Sequence, residues 1–275
     1  MNTLTKMTLS SLTLASTLLA SQALAHGLNM WPSQFNINSK RPTTVTVDLS
    51  FSETPFRLDH SVSAAGLSVI DPQGKTLRYL GNIYQSAQRT TLDLAISEQG
   101  TYTVTYQNQP RYTTSYTVGS QAKKKRLRLN KSDAQSELPN SAKNVVTKKS
   151  VTTAIAFITN IRPSKQDFKP TGKGLELVPV THPSDYVTND VITMKLYLNG
   201  QPLRNATAKL QRSGAQYLAS NKPSESVTDA NGQLSYQFDQ GGLFTLSVKH
   251  SEKQNAKLYD EMGYRLFYSF EISYE

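Results

Sequence analysis

The sequence predicts an all-β protein with two β-sandwich domains joined by a basic linker, and two observations support this prediction. Many short segments alternate between polar and apolar residues with a period of two, and no segment of the mature chain keeps a helical period. Turn sequences such as Asn199-Gly200 and Asn231-Gly232 separate these segments. Such turns are typical of antiparallel hairpins, which favours sandwiches over parallel sheets.

The first 25 residues have the pattern of a secretory signal peptide. Lys6 and the amino terminus give a weak positive charge, residues 7–20 are apolar, and Ala23 and Ala25 occupy the −3 and −1 positions of a cleavage site. The apolar run is shorter than the roughly 20 residues that span a membrane. We therefore predict export, a bacterial periplasmic location, no membrane-spanning segment and His26 as the new amino terminus.

The composition excludes several classes of site. The chain has no cysteine, so it has no disulfide, no thiolate metal site and no thiol nucleophile. Its net charge of +10 is concentrated, because residues 121–150 contain nine lysines and arginines against Asp133 and Glu137. A basic block of this kind indicates a solvated linker, or a contact with an anionic envelope surface such as lipid or lipopolysaccharide. We predict no nucleic-acid partner.

The first domain is predicted over residues 26–118. Alternating segments cover residues 43–49, 101–106 and 112–118, and threonine, valine and tyrosine dominate them, as half-buried strands prefer. The turn sequence Asp71-Pro72-Gln73-Gly74 separates two of these segments. Residues 119–150 contain few large apolar residues and are predicted to be a lysine-rich linker or long loop.

The second domain is predicted over residues 151–275. Alternating segments begin near residues 151, 191, 206, 234, 244 and 266, although the first of them could return to the first domain. The string that starts at Gly200-Gln201-Pro202-Leu203 resembles small extracellular sandwich domains of immunoglobulin-like or transthyretin-like type. Domains of this type have many functions, so the fold does not identify a role.

Three strings together resemble the DUF4198 family of exported bacterial proteins. They are Trp31-Pro32-Ser33, residues 56–60 (FRLDH) and residues 172–183 (GKGLELVPVTHP). Members of this family are often described as the periplasmic component of nickel or cobalt uptake. The resemblance therefore implies that the chain binds or delivers a transition metal. It also implies a metal transporter or an outer-membrane receptor component as partner.

Histidine is the best candidate metal ligand in this chain, since imidazole suits nickel, copper and zinc. His26, His60 and His182 lie at positions that the resemblance marks, whereas His250 is expected to be structural or exposed at a strand end. An amino-terminal His26 offers an imidazole and an α-amino group whose pKa is about 7.7–8.0. We predict a site for Ni, Co or Cu from His26 and His60, with Asp59, His182 or Asp185 completing it or orienting a ring.

Other interpretations stay open. Asp59 could simply hold the ring of His60, and His182 could cap the turn that begins at Pro183. No motif of a hydrolase, phosphate loop or dinucleotide fold occurs, so we expect no enzymatic activity. The alternatives are an envelope-interaction or glycan-binding module without metal, and an oxidative enzyme with a copper histidine brace.

Overall fold

A computed structural model describes residues 27–164, 168–217 and 223–274, so the predicted signal peptide and His26 lie outside the described residues. In order, the strands are β1 (Gly27–Pro32), β2 (Asn36–Ile37), β3 (Thr43–Ser52), β4 (Leu67–Ile70), β5 (Gly81–Gln85), β6 (Thr90–Ile96), β7 (Gly100–Gln107), β8 (Arg111–Val118), β9 (Lys123–Leu127), β10 (Lys143–Asn160), β11 (Leu175–Pro179), β12 (Val191–Leu198), β13 (Gln201–Pro202), β14 (Thr207–Arg212), β15 (Ser224–Val227), β16 (Gln233–Gln237), β17 (Gly242–Ala256) and β18 (Tyr259–Ile272). A one-turn helix, α1 (Lys131–Ala134), follows β9, and three 3-10 turns cover Ala64–Gly66, Pro183–Asp185 and Ala215–Tyr217.

These strands form three sheets. The first sheet has the order β1-β3-β6-β5. The central sheet has ten strands and runs β15-β14-β17-β18-β10-β7-β4, with β2 and β8 also paired to β10 and β9 paired to β8. The third sheet contains β11, β12 and β13, and β16 also pairs with β12. The long central sheet therefore reaches across the whole molecule.

Two hydrophobic cores lie against different parts of the central sheet. The first core packs the first sheet on β4, β7 and β10, and Val47, Leu94 and Val104 are completely buried there. The second core packs the third sheet on β14, β17 and β18, around residues such as Leu196 and Leu246. Sheets that bury one face against another are β-sandwiches, so the predicted all-β fold with two sandwiches is confirmed.

Strands β10 and β18 are shared by both cores. In β10, Ala156 and Ile158 belong to the first core and Phe157 to the second. In β18, Phe267 packs in the first core, whereas its neighbour Tyr268 packs in the second. Successive side chains of a strand point to opposite faces, so both faces of these strands are buried. A domain boundary at residue 150 therefore falls inside a continuous strand.

The segment predicted as a linker or long loop is mostly regular structure. It contains β9, α1 and the first part of β10, which pairs with β8. Lys131 Nζ lies 2.5 Å from Asp260 Oδ1, and the other oxygen of Asp260 accepts the Thr147 N–H at 2.8 Å. Ladder hydrogen bonds hold this polar segment without a large apolar contribution, which is why its composition resembled a linker. No described residues form a helix long and apolar enough to cross a membrane.

Candidate functional site

Asp59 and His60 lie in a loop at one end of the first sheet, where β3 stops at Ser52. The chain leaves β3, turns, and returns so that His60 exchanges two backbone hydrogen bonds with Phe51, at 2.8 and 3.0 Å. The buried hydroxyl of Ser50 accepts the Asp59 N–H at 2.9 Å and donates to the Gln88 carbonyl at 2.8 Å. The backbone under both candidate ligands is therefore held by the buried end of β3.

The two side chains contact each other. His60 Nδ1 lies 3.2 Å from Asp59 Oδ1, and 69% of the His60 side chain and 42% of the Asp59 side chain are exposed. A carboxylate beside Nδ1 favours the tautomer that carries its proton there, which leaves the lone pair on Nε2. This is the arrangement in which a carboxylate orients a metal-binding imidazole.

Two of the strings behind the family resemblance meet at this loop. Trp31 in β1 packs edge-on against Phe56, with 5.6 Å between the ring centroids. Phe56 has a φ of 60°, a left-handed conformation that is uncommon for a bulky side chain. Such strain persists only where surrounding contacts fix it, and here the indole of Trp31 supplies one of them. The loop that carries Asp59 and His60 is thus built by residues of both strings.

The first described residue also lies at this end of the first sheet. Gly27, the first described residue, pairs with Ser52 at the end of β3, and the next pair joins Leu28 to Phe51, the partner of His60. Glu53 follows Ser52, so a second carboxylate belongs to this end of the sheet. His26 precedes Gly27 and lies outside the described residues.

His182 lies at the opposite end of the first sandwich. Its Nε2 is 3.1 Å from Thr101 Oγ1 at the start of β7. Strand β7 begins four residues after Ile96, the last residue of β6, and Ile96 pairs with Thr43 at the start of β3. Since β3 rises about 3.3 Å per residue, roughly 26 Å separates Thr43 from Phe51. The structure therefore does not bring His182, or Asp185 two residues after Pro183, to Asp59 and His60.

Both ring nitrogens of His182 have partners within the fold. Nδ1 accepts the Ser184 N–H at 3.1 Å and so caps the 3-10 turn Pro183–Asp185. Nε2 then carries the proton and donates to Thr101 Oγ1. The ring is half-buried and lies 5.5 Å from the ring of Phe168. Burial lowers the pKa of His182, opposed by the nearby Asp185 carboxylate, so the neutral ring is favoured.

The third string, residues 172–183, forms a turn rather than a site. The sequence did not reveal the role of Glu176 in that turn. Its carboxylate accepts the N–H groups of Thr171, Gly172 and Lys173 at 2.7, 2.9 and 3.2 Å. Gly172 and Gly174 have positive φ values of 81° and 69°, which let the chain fold around that carboxylate. A glutamate two residues after a Gly-Lys-Gly turn is the sequence signal that could have indicated this.

Within the part of the chain that the structure describes, no group of three or more histidine, aspartate or glutamate side chains could hold a metal ion. Of the predicted ligands, Asp59 and His60 lie in contact. The other ligand predicted for this end, His26, is outside the described residues.

A family model described as "Domain of unknown function (DUF4198)" matches residues 23–252. No curated protein matches the chain. Among solved structures, the D0-D1 domain of intimin is 12% identical, covers 88% of this chain and 96% of that chain, and gives a TM-score of 0.20. The D00-D0 domain of intimin is 13% identical, with coverages of 89% and 98% and a TM-score of 0.20. Similarities at these TM-scores support no conclusion about this chain.

Proposed function

The chain belongs to the DUF4198 family, and on this basis we propose that it is an exported accessory protein for transition-metal uptake. It binds nickel or cobalt as cargo in the periplasm, through His26, Asp59 and His60, and delivers it to a transporter or an outer-membrane receptor component. The proposal combines the family resemblance with the contact between Asp59 and His60. It leaves His182 out of the site.

The Asp59–His60 contact is the observation that carries the proposal. The imidazole is mostly exposed, and its Nδ1 lies beside a carboxylate on a loop held by Ser50. An ordinary surface histidine needs no such support, whereas a metal ligand gains affinity when its ring is oriented. Exposure also suits a carrier, which must release its ion to a partner.

Covalent geometry supports the inclusion of His26. His26 is covalently bonded to Gly27, and Gly27 pairs with Ser52 at the end of the sheet that carries His60. After cleavage, the α-amino group and imidazole of His26 would supply two nitrogen donors, and His60 Nε2 a third. Three nitrogen donors suit Ni(II), Co(II) and Cu(II) better than the oxygen-rich sites of Mg²⁺ or Ca²⁺.

Calorimetric titration tests this proposal. Protein exported and cleaved to begin at His26 is titrated with Ni(II), Co(II), Cu(II) and Zn(II). The matched control carries one extra residue before His26, which removes the α-amino donor from the site and changes nothing else. We expect one-to-one binding of nickel or cobalt that the extra residue weakens at least tenfold. Absence of binding in both forms would contradict the proposal and favour an interaction module.

The same titration separates the copper alternative. A histidine amino terminus with a second imidazole is also the donor set of a copper brace, and the strained residue Phe56 lies four residues before His60. Copper binding tighter than nickel is expected for any such site, because affinities follow the order of the divalent ions. Copper-dependent formation of peroxide in the presence of a reductant would instead indicate an oxidative enzyme.

We also propose that β9 contacts an anionic envelope surface. Lys123, Lys124, Lys125 and Arg126 are consecutive and exposed on a strand that pairs, among the described strands, only with β8. Lysines on such an edge also discourage strand pairing between copies. Near an anionic surface each cation contributes about 1 kcal/mol of attraction.

Vesicle sedimentation tests this second proposal. We expect the protein to bind phosphatidylglycerol vesicles at low salt and to lose most of that binding when residues 123–126 are all replaced by glutamine. A matched control replaces Lys173 and Lys195, which lie outside this strand. Equal binding to neutral phosphatidylcholine vesicles, or unchanged binding of the fourfold variant, would contradict it.

A further inference from the structure

A groove separates the two sandwiches on the side of the central sheet that faces away from the second core. Its volume is about 310 Å³, which lies at the small end of the range for small-molecule sites. One wall comes from the first sandwich and includes Gly27, Asn29 and Glu53, and the floor comes from β14, β17 and β18. The groove therefore opens beside the end of the first sheet described above.

Strand periodicity explains the polar floor. Leu246 and Val248 of β17 pack in the second core, so the alternate residues Thr245, Ser247 and Lys249 face the groove. The register places Lys209 of β14 beside Ser247, and Phe267 of β18 on the other side of Ser247. The floor thus combines hydroxyl groups, one aromatic ring and lysine ammonium groups.

Thr245 is the unusual residue of this floor. Only 4% of it is exposed, and its hydroxyl oxygen is fully buried without a hydrogen-bond partner among the described residues. A buried hydroxyl without a partner destabilises a fold, so most such groups are paired. A change of χ1 rotamer exchanges the hydroxyl and methyl groups of a threonine. In the rotamer that turns it toward the groove, the Thr245 hydroxyl would gain a partner in a ligand that enters there.

The charges around the groove favour an anion. Lys209 pairs with Glu225 at 2.8 Å, whereas no carboxylate in the described part of the chain forms an ion pair with Lys249. Partial burial and the neighbouring cations Arg265 and Lys209 lower the pKa of Lys249. Glu53 adds one negative charge to the opposite wall. An oxyanion near Lys249 would offset the repulsion between these cations.

We propose that this groove binds a small polar anion, whose carboxylate or phosphate oxygens pair with Lys249 and accept a hydrogen bond from the Thr245 hydroxyl. Ser247 and Asn29 supply further polar contacts, and Phe267 packs against the carbon skeleton. This site is independent of the proposed metal site, because none of its contacts uses His26, Asp59 or His60.

Metal-depleted, ¹⁵N-labelled protein tests the proposal by NMR titration, so that chelation by the probe plays no part. The probes are citrate, inorganic phosphate and glucose. We expect citrate or phosphate to shift the amide signals of Thr245, Ser247 and Lys249 in a saturable manner, and glucose not to do so. The anion that binds more tightly identifies carboxylate or phosphate as the natural group. No saturable shift with either anion at 10 mM, or equal binding of glucose, would overturn the proposal.

Two variants and their controls connect the binding to the named contacts. Lys249→Gln and Thr245→Val should each weaken anion binding at least tenfold, whereas Lys195→Gln, on the third sheet, should leave it unchanged. Thr245→Val should also keep or raise the melting temperature, because it removes a buried hydroxyl without a partner. Thr114→Val is the contrasting control, since the Thr114 hydroxyl bonds the Leu129 carbonyl at 3.0 Å and its loss should lower the melting temperature. Unchanged anion binding in Thr245→Val, or a melting temperature lowered as in Thr114→Val, would overturn the role of this hydroxyl.

Discussion

His60 and His182 lie at opposite ends of the first sandwich, and each belongs to a string that marks the family. His60 is mostly exposed and lies beside the Asp59 carboxylate, whereas His182 is half-buried and both of its ring nitrogens bond to other parts of the fold. A metal that bound His182 would first have to break a turn cap or a buried hydrogen bond. The same residue type in two strings of the resemblance therefore stands in two different environments.

The difference shows that the specificity of a string does not indicate chemistry by itself. In residues 172–183, Glu176 and His182 are both used to build local turns. In residues 56–60, the backbone of Asp59 is held by Ser50, and the side chains of Asp59 and His60 are partly or mostly exposed. A structural string is one whose side-chain polar atoms form hydrogen bonds with the backbone, and this criterion distinguishes it from a candidate site.

Replacing His60 gives the largest expected effect. Since the carboxylate that orients a metal-bound histidine is worth about 10–100-fold in affinity, loss of the ligand itself should cost more. His60→Ala should therefore weaken nickel binding at least about 100-fold, with a change of less than about 0.5 kcal/mol in the free energy of unfolding. Titration calorimetry and urea denaturation measure the two quantities. Wild-type affinity in this variant would remove His60 from the site.

Replacing His182 should have the opposite pattern. His182→Ala loses the hydrogen bonds to Ser184 and Thr101 and the packing on Phe168, so the free energy of unfolding should fall by about 2 kcal/mol. Nickel affinity should stay within twofold of wild type. Urea denaturation and calorimetry on the same sample check both statements. A loss of nickel affinity without a loss of stability would reverse the roles assigned to the two histidines.

Asp59 should have an intermediate effect on metal binding. Asp59→Asn keeps the backbone hydrogen bond to Ser50 but removes the charge beside His60 Nδ1. We expect affinity to fall about tenfold, because an amide orients the ring with less electrostatic support. Glu225→Gln, in the other sandwich, is the control. An affinity equal to wild type would show that the carboxylate does not orient the ring.

The smallest expected effect is a pH dependence of stability at the His182 end. Burial lowers the pKa of His182 in the folded state, so the unfolded chain binds its proton first as the pH falls. The stability from the neutral ring is complete above about pH 6.5 and is lost as the pH falls through the lower, folded-state pKa. His182→Asn should show a shallower loss between pH 7.5 and 5.5 in urea denaturation. Identical slopes would exclude this contribution.

Much of the fold followed from the sequence. Alternation and turn chemistry predicted an all-β protein with two sandwiches, and the cores confirm it. The alternation near residues 151 and 266 predicts one buried face for each strand, and it does not reveal that β10 and β18 bury their other face in a second core. Residues 119–150 have the composition of a linker although they contain β9 and the first part of β10, because ladder hydrogen bonds leave no trace in composition.

Less of the site could be predicted. Adjacency in sequence was enough to place Asp59 beside His60, and a histidine before Pro183 was recognised as a candidate cap. The separation between His60 and His182 depends on the register of β3 with β6, which pairs Thr43 with Ile96. Neither string of the sequence reveals this register. The role of Thr245 depends on which atoms of the folded sheet have partners.

Paramagnetic NMR with Co(II) tests the central claim most directly, because its effects fall steeply with distance from the ion. The measurement uses ¹⁵N-labelled protein that begins at His26. We predict that one equivalent of Co(II) broadens or shifts the signals of Gly27, Asp59 and His60 and leaves those of Thr101, His182 and Ser184 unchanged. Effects centred on His182, or an even and unsaturable broadening across the molecule, would contradict a metal site at the amino-terminal end.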